Sequence, residues 1–383
     1  MGTSWARHLL YQVILWTCLM ETCFLEDYDY DEKDQSANET ADGTQGLLCP
    51  RSFPGVEVGP NMLCIRNGSK DNLLGKVTTN LISSVYTAIF LVGLPANGLA
   101  LWLLATKIQR LASTIFLMNL AAADLLLVLV LPFKISYYFL GHNWLFGEGM
   151  CRLTTAFFYG NMYCSVLLLT CISLDRYLAI VHPFFSRSFR SPNFATCVCV
   201  AVWLLAVAFT LPLTLRQQSY QLHSTDLILC HDVLPQEELA SYYLPVFGCL
   251  IVLGFFLPLL VILFSYCSVI WVLAANGEKY SHAIKLTVLV LASILLFFTP
   301  SNALLLLHYS YTKFEDLYIW YMLSLAFSTF NSCVDPFIYY YVSEEFRGKV
   351  RRHIFLQDKS TVTLLKASKE TTPGTRTQSV SLV

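Results

Sequence analysis

Charged residues are scarce in this chain. Aspartate, glutamate, lysine and arginine account for 13% of its 383 residues, whereas about 25% is usual in soluble proteins. Five long runs contain no charged residue at all, at positions 77–105, 153–174, 194–215, 240–275 and 286–307. Uncharged apolar runs of this length and number exclude an ordinary water-soluble fold, because they would leave too little polar surface.

Two further apolar runs contain one acid each: 111–133 holds Asp124 and 317–342 holds Asp335. A helix needs about 20 apolar residues to cross the hydrocarbon core of a bilayer. The seven runs therefore predict an all-α membrane protein, a seven-transmembrane helix bundle over 77–342. A short amphipathic eighth helix is predicted directly behind it.

Basic residues set the orientation of the bundle. Lysine and arginine lie in the short loops after the first, third and fifth runs and behind the seventh, and the loops on the opposite side are acidic. Cytoplasmic loops carry the excess of lysine and arginine, so the N-terminus is predicted outside the cell. The chain then divides into a signal peptide, an outer tail, the bundle, the eighth helix and a disordered cytoplasmic tail: 1–23, 24–76, 77–342, 343–356 and 357–383. The outer tail carries two glycosylation sequons, at Asn38 and Asn67.

Several chemical signatures are absent from the sequence. It contains no metal-ligand spacing, no glycine-rich phosphate loop and no internal repeat. No nucleophile, base and orienting residue cluster at one membrane face, so we expect neither an enzyme nor a resident cofactor, and no nucleic-acid partner. Four of the 13 cysteines lie outside both the membrane runs and the signal peptide, and they allow three pairings: Cys49, Cys64, Cys151 and Cys230.

Ionisable groups at membrane depth are costly and mark functional sites. Asp124 and Asp335 are such groups, and the third and seventh runs add polar side chains at Asn161, Ser165 and Asn331. Carboxylate, amide and hydroxyl oxygens suit a small hard cation, so one prediction is a sodium ion that acts as an allosteric modulator. The alternative is a set of hydrogen bonds that holds the helices together.

Motifs in the seven runs resemble those of rhodopsin-like G-protein-coupled receptors. They are GLPANGLAL, NLAAADLLL, SLDRYLAIVHP, the lone Trp203, Pro258 with Tyr266, FFTPSN and NSCVDPFIYYY, and the likeness extends over about 77–355. The sequences CHDVLP, LLLLHYS and LPLTLRQQ narrow the resemblance to the protease-activated receptors. Two features depart from the pattern: Phe298 stands where many such receptors have tryptophan, and no cysteine follows the eighth helix.

The resemblance implies several residue roles. A disulfide would join Cys151 to Cys230, which leaves Cys49 and Cys64 to pair with each other or to stay single. The switch that couples to G proteins would consist of Asp175, Arg176, Tyr177, Tyr266 and Tyr339. The residues alone allow two alternatives for the acid beside a base at 175–176: a surface pair at a loop end, or a latch that opens when the cytoplasmic side rearranges. The implied partners are G proteins of the Gq and G12/13 classes, arrestin at the serine- and threonine-rich tail, and the lipid of the plasma membrane.

The resemblance also implies a protease site in the outer tail. Pro50 and Arg51 form a context that resembles the preference of thrombin, so a thrombin-like serine protease would cut between Arg51 and Ser52. The new N-terminus would act as a tethered agonist, with the sequence SFPGVE: Ser52, Phe53, Pro54, Gly55, Val56 and Glu57. Arginine alone is weak support, because Arg66 lies in the same tail.

Such a ligand needs an acid for its new ammonium group and an apolar pocket for Phe53. Asp232 in the second outer loop is the expected acid, and His308 and Tyr309 are the expected pocket residues by resemblance. The alternative is that they are an exposed loop acid and aromatic residues at the membrane interface. We expect positions 56–76 to form a flexible linker with an end-to-end distance of roughly 25 Å.

Two other functions fit parts of the sequence. A receptor for a soluble peptide would have the same bundle and an inert tail, and free SFPGVE peptide tested beside protease separates the two. A transporter is supported only by the buried acids Asp124 and Asp335. It predicts paired half-sequence repeats, which this chain lacks.

Overall fold

In the computed structural model, the chain forms a bundle of long apolar helices with a small β-sheet at its outer end. The structure describes residues 53–59, 61–64, 73–75, 77–184, 190–223, 225–235, 238–277, 280–310, 317–342 and 344–352. The predicted signal peptide, both sequons, the cut site Arg51–Ser52 and the cytoplasmic tail lie outside these residues.

Within the described part of the chain, six helices are long and apolar enough to cross a membrane. The helices in chain order are α1 Ile82–Thr106, α2 Ala112–Phe139, α3 Gly147–Val181, α4 Pro192–Leu215, α5 Leu244–Ile251, α6 Leu257–Ala275, α7 Ser281–Ser310, α8 Leu317–Thr329, α9 Asn331–Val342 and α10 Glu344–Val350. A wider π-helical turn, Val252–Phe256, joins α5 and α6 into the fifth membrane helix. The short α10 lies where an eighth helix was predicted.

The seventh apolar run is divided into α8 and α9 by a turn at Phe330. The Phe330 N–H donates to the Phe327 carbonyl at 3.1 Å, and the Cys333 N–H donates to the Phe330 carbonyl at 2.9 Å. These bonds close a tight turn instead of continuing the helix. The interruption therefore precedes Pro336, which lies inside α9.

Several helices extend beyond the apolar runs that predicted them, because their ends are set by local backbone signals. The fourth membrane helix is an example: the Ser191 side chain accepts a hydrogen bond from the Phe194 N–H at 3.3 Å, and Pro192 occupies the first turn. A serine cap followed by proline is a typical helix start. The outward faces remain apolar, with Leu91, Leu204 and Trp271 at least 65% exposed, as expected of surfaces that contact lipid.

A five-stranded sheet covers the outer end of the bundle, in the order β4-β3-β2-β1-β5. Its strands are β1 Phe53–Gly59, β2 Met62–Cys64, β3 Ser219–Leu222, β4 Ile228–Cys230 and β5 Val233–Pro235. The first two come from the outer tail and the other three from the second outer loop. The flexible linker predicted at 56–76 is therefore wrong for its first part, since residues up to Cys64 are strand-paired.

The fifth membrane helix widens just before a proline. Pro258 has no N–H to donate to the preceding turn, and a π-helical turn is one way for the backbone to relieve the strain. Gly254 lies inside this turn, against the ring of Tyr163 in α3. A Cβ atom on Gly254 would lie 2.6 Å from Cδ1 of Tyr163, so the close approach of the two helices requires glycine here.

We therefore expect Gly254→Ala to destabilise the receptor by about 1–3 kcal/mol, the usual result of overpacking a filled core. The matched control is Gly248→Ala in the same membrane helix, where a Cβ would meet no atom within 4 Å. Thermal unfolding of the purified protein in detergent measures both variants. Equal unfolding temperatures for the two variants would contradict this account of the helix contact.

Candidate ligand-binding site

The second outer loop is fastened to the start of the third membrane helix by a disulfide. Cys151 of α3 and Cys230 of β4 are bonded, with a distance of 5.7 Å between their Cα atoms, as the family resemblance implied. Both residues are fully buried. The bond fixes the end of β4 and therefore the position of the residues that follow it.

Glu148, one turn before Cys151, provides a second attachment. Its carboxylate accepts hydrogen bonds from the Gln218 N–H at 2.8 Å, the Ser219 N–H at 2.7 Å and the Ser219 hydroxyl at 2.5 Å. Arg152 forms an ion pair with the same carboxylate. Two consecutive backbone N–H groups at the start of β3 are thus held by the first turn of α3.

Gln218 connects this attachment to the loop residues that face the bundle. Its Nε2 donates to the Leu213 carbonyl at 2.7 Å and to the Tyr243 hydroxyl at 3.1 Å. Its Oε1 pairs with Nδ1 of His231, and its carbonyl accepts from the His231 N–H at 2.8 Å. His231 adopts the left-handed backbone conformation, with φ 67°, which turns the chain between β4 and β5.

Asp232 is buried, with 4% of its surface exposed, and is therefore not an exposed loop acid. The Tyr137 hydroxyl donates to Oδ2 of Asp232 at 2.6 Å and accepts from the Cys230 N–H at 3.4 Å. Lys134, also buried, interacts electrostatically with Asp232. A buried carboxylate requires hydrogen-bond donors and a compensating charge, and these two residues of α2 supply them.

A small cavity lies beside Asp232 on the inner side of the loop, and most of its wall is aromatic or apolar. Within the described residues its lining consists of Tyr86, Lys134, Tyr138, Thr155, Phe158, Tyr159, His231, Asp232, Tyr321, Met322 and Leu325. The ring of Tyr86 lies 5.9 Å from that of Tyr138 and 6.2 Å from that of Phe158. The same wall carries the charges of Lys134 and Asp232, and the enclosed space has room for about one water molecule. An aromatic and a charged surface therefore meet here, in a closed arrangement.

His142 lies behind this site, in the first outer loop. Its ring is buried and packs edge-on against Tyr137 and Tyr138, with centroid distances of 5.3 and 5.1 Å. Burial lowers the pKa of His142, the positive charge of Lys134 lowers it further, and the negative charge of Asp232 partly opposes the change. The neutral imidazole is therefore the favoured form beside the site.

The start of the proposed agonist sequence runs parallel to β5, directly after Asp232. Phe53 pairs with Val233, Pro54 with Leu234 and Gly55 with Pro235. A Cβ on Gly55 would lie 2.8 Å from Cγ1 of Val233 and 2.9 Å from Cβ of Leu63, so only glycine fits between the neighbouring strands. The side chains of Phe53, Pro54, His308 and Tyr309 are outside the described part of the structure.

The predicted polar residues of the bundle interior do come together. Asn161 Nδ2 donates to Oδ1 of Asp124 and to the Ser165 hydroxyl, both at 3.4 Å, and Asn331 Nδ2 donates to Oδ2 of Asp335 at 2.9 Å. The two acids interact electrostatically. A cavity beside Asp124 is also lined by Asn161, Ser165, Ser328, Thr329, Asn331 and Ser332.

At the cytoplasmic end, the buried acid of the Asp-Arg-Tyr sequence pairs with a different arginine. Arg190 Nε contacts Oδ1 of Asp175 at 2.8 Å, whereas among the described contacts Asp175 has no ion pair with its neighbour Arg176. A side chain bonded to the second inner loop and 3% exposed is not part of a solvent-exposed pair. Of the two alternatives for 175–176, the solvent-exposed pair at the loop end therefore does not describe Asp175, and its role in the switch stays a prediction.

The three tyrosines of the predicted switch lie on the same end of the bundle. Tyr266 is buried and interacts with the charge of Arg176, and the Tyr177 hydroxyl bonds Nε2 of His182 at 3.0 Å. Tyr339 is buried and packs edge-on against Phe346 of α10, at 6.3 Å between centroids. Tyr339 therefore connects the seventh membrane helix to the short helix that follows it.

Comparison with known proteins agrees with this architecture. Residues 96–339 match the family model of the 7 transmembrane receptors of the rhodopsin family. The chain is 50% identical over 372 residues to proteinase-activated receptor 4 of Homo sapiens, covering 96% of both chains. It is 52% identical to receptor 4 of Rattus norvegicus, covering 81% of this chain and 80% of that protein, and 39% identical to human receptor 3 over 81% of each chain.

The chain belongs to the proteinase-activated receptors. It is accordingly a G-protein-coupled receptor of the plasma membrane and not an enzyme. The family name describes receptors that a proteinase activates. In this receptor the second outer loop is the structure that meets both the outer tail and the interior of the bundle.

Four residues that hold Asp232 and its loop in place were not predicted from the sequence. Lys134 and Glu148 carried a usable signal, since each is a charged residue close to the outer end of a membrane run. Tyr137 and Gln218 carried none: the chain has 21 tyrosines, and nothing in the local pattern distinguishes the one that donates to Asp232. Tyr137 is distinguished only by the position of β4 next to α2, which brings Asp232 to its hydroxyl.

Proposed function

We propose that this receptor is activated by cleavage between Arg51 and Ser52, by thrombin or another trypsin-like serine protease, and that SFPGVE then acts as its tethered agonist. The observation that carries the proposal is the parallel pairing of Phe53–Gly55 with Val233–Pro235. An inert tail is not expected to pair with a loop that Glu148 and a disulfide fasten to the bundle.

The chemistry of the cut explains why arginine precedes the agonist sequence. A trypsin-like protease binds the guanidinium of Arg51 through an acid at the base of its primary pocket. Hydrolysis of the peptide bond creates an α-ammonium group on Ser52. That group is positive, whereas the uncut amide is neutral, so cleavage introduces a charge that an acidic site can recognise.

Asp232 is the proposed partner of this ammonium. Its carboxylate is buried and lines the cavity. Asp232 also directly precedes Val233, the residue that pairs with Phe53. Lys134 interacts with the same carboxylate, so the ammonium and the lysine would share it. The aromatic residues next to Asp232 are the proposed contact surface for the agonist, together with His308 and Tyr309 on α7. The closed cavity between them would have to widen to admit the ring of Phe53.

The response would reach the cytoplasm through the bundle. The proposed switch consists of the Asp175–Arg190 pair, Arg176, Tyr177, Tyr266 and Tyr339, which lie on the inner end of the helices. Its partners would be G proteins of the Gq and G12/13 classes, and arrestin would bind the phosphorylated tail at 360–383. Family likeness supports G-protein coupling in general, and the finer assignments are part of this proposal.

A sodium ion is the proposed modulator of the bundle interior. One carboxylate oxygen of Asp124, Oδ2, is buried and accepts no hydrogen bond from an amide or hydroxyl group among the described residues. The carboxyl group of Asp335 lies within hydrogen-bonding reach of Asp124. The adjoining cavity offers further oxygens from Ser165, Ser328 and Thr329. These donors fit a hard monovalent cation, which would neutralise part of the charge of Asp124 and Asp335 and stabilise the resting arrangement.

The decisive test of the proposed function is Arg51→Ala. Because the protease needs the guanidinium, we expect this receptor to lose its calcium response to thrombin and to keep the response to free SFPGVE peptide. N-terminal sequencing after brief exposure to the protease checks that the cut is lost.

Arg66→Ala is the matched control, as a second arginine of the same tail, and should leave both responses unchanged. If the Arg51→Ala receptor is still cut and activated, the proposed site is wrong. If free SFPGVE is inactive on every variant, the rival function, a soluble-peptide receptor with an inert tail, is favoured instead.

The second test is Asp232→Asn, which removes the charge but keeps an oxygen that can accept from Tyr137. A charge-assisted hydrogen bond contributes about 1.5–3 kcal/mol, so the potency of free SFPGVE should fall roughly ten- to a hundredfold. The thrombin response should shift less, because the high effective concentration of a tethered ligand masks a moderate loss of affinity.

Glu238→Gln is the control for this substitution, since Glu238 belongs to the same loop region and pairs with Arg216 at 3.4 Å. It should change neither response. Loss of peptide potency in Glu238→Gln with full potency in Asp232→Asn would show that Asp232 is not the partner of the ammonium and that Glu238 is.

The third test concerns the interior acids. If sodium binds there, Asp124→Asn and Asp335→Asn should each reduce the inhibition of agonist binding by sodium chloride, because each removes a charge that holds the cation. Agonist binding is measured with sodium chloride replaced by an organic-cation chloride at equal ionic strength. Unchanged sodium dependence in both variants would leave these residues as a hydrogen-bond network alone.

A further inference from the structure

The described residues of the outer tail between Phe53 and Cys64 form a β-hairpin. Strand β1 pairs antiparallel with β2, with Val56 opposite Cys64 and Glu57 opposite Leu63. The turn between them contains Asn61 in the left-handed conformation, with φ 60°. Asparagine and glycine are the residues that adopt this conformation most readily, so the local sequence favours the turn.

The hairpin is bound to the second outer loop through β2. The Gln221 N–H donates to the Asn61 carbonyl at 2.9 Å, and the His223 N–H donates to the Leu63 carbonyl at 2.8 Å. The Gln217 side chain adds a bond from Nε2 to Oδ1 of Asn61 at 2.9 Å. Glu148 holds the start of β3, so the strand with which β2 pairs is itself attached to the bundle.

Apolar burial adds to these bonds. Leu63 is 1% exposed and packs against Gly55. A Cβ atom added to Gly55 would lie 2.9 Å from the Cβ of Leu63. The strand that carries the agonist sequence is thus enclosed by β2 on one side and β5 on the other. Paired strands on both sides hold a segment far more firmly than a free tail.

We propose that Phe53–Cys64 is docked on the second outer loop as this hairpin before cleavage, so that the protease releases the end of a strand that is already in register. The inference rests on the proposed function and deepens it. The agonist is recognised by strand addition, in which backbone pairing supplies affinity, and it does not search for its site from the end of a flexible linker.

Two consequences follow for the resting receptor. A hairpin fixed at β2 confines the new N-terminus, whereas a flexible chain over 56–76 would spread it over roughly 25 Å. The edge of β5 is also occupied by β1, so a free agonist peptide has to displace the receptor's own strand. A site that is open only part of the time has an apparent affinity reduced in proportion.

Hydrogen–deuterium exchange on the intact, uncut receptor tests the docking directly. The amides of 53–64 should exchange at least about tenfold more slowly than in a synthetic peptide of the same sequence, because paired amides exchange only after local opening. Equal exchange rates in the receptor and the peptide would overturn the proposal.

Variants at Asn61 test the occupied edge. Asn61→Val forces a β-branched residue into the left-handed conformation and should open the hairpin, whereas Asn61→Gly keeps the turn and removes only the bond from Gln217. We expect Asn61→Val to make uncut receptor about threefold or more sensitive to free SFPGVE and to weaken its thrombin response. Asn61→Gly should stay near wild type in both.

A second variant covers the case in which the turn tolerates valine and the hairpin stays closed. In this variant residues 53–64 are replaced by a glycine–serine sequence of equal length. Its sensitivity to free SFPGVE should also rise, and an unchanged sensitivity would show that β1 does not occupy the agonist site. The two proposals can fail separately. If the Arg51→Ala receptor still responds to thrombin and its 53–64 amides exchange slowly, the proposed cut is refuted and the docked hairpin is supported.

Discussion

The outer half of this receptor is organised around the burial of one carboxylate, that of Asp232. A carboxylate removed from water is stable only with hydrogen-bond donors and a nearby positive charge, and α2 supplies them from Tyr137 and Lys134. The second outer loop must therefore lie deep against the bundle. Its depth sets the position of β5, and β5 sets the register in which the tail pairs.

The third membrane helix carries this constraint to other parts of the molecule. Its first turn holds the loop through Glu148 and Cys151, its middle lines the polar cavity with Asn161 and Ser165, and its last turns carry Asp175. At 1.5 Å per residue, a helix of 35 residues is about 50 Å long. One rigid element thus connects the ligand site, the interior acids and the cytoplasmic ion pair, each of which has its own hydrogen-bond partners.

Much of the fold was predictable, and the reasons are local. Seven apolar runs suffice to predict the bundle, and motif likeness suffices to predict the Cys151–Cys230 bond. The sheet could not be predicted, because β2 to β5 have three or four residues each, too few for an alternating pattern. The first four membrane helices all lie between the strand partners Leu63 and Leu222. Nothing in either segment specifies the other.

The sequence by itself determined the class of the protein, its orientation in the membrane and the residue types available for chemistry, because apolar length, loop charge and motif spacing are properties of short segments. Only the tertiary structure decided that Asp232 is buried, that the partner of Asp175 is Arg190 and that Phe53–Gly59 and Met62–Cys64 of the tail are paired strands. The physical reason is the same in each case. Burial, ion pairing and strand register depend on which distant segments meet, and that is settled by packing the whole bundle.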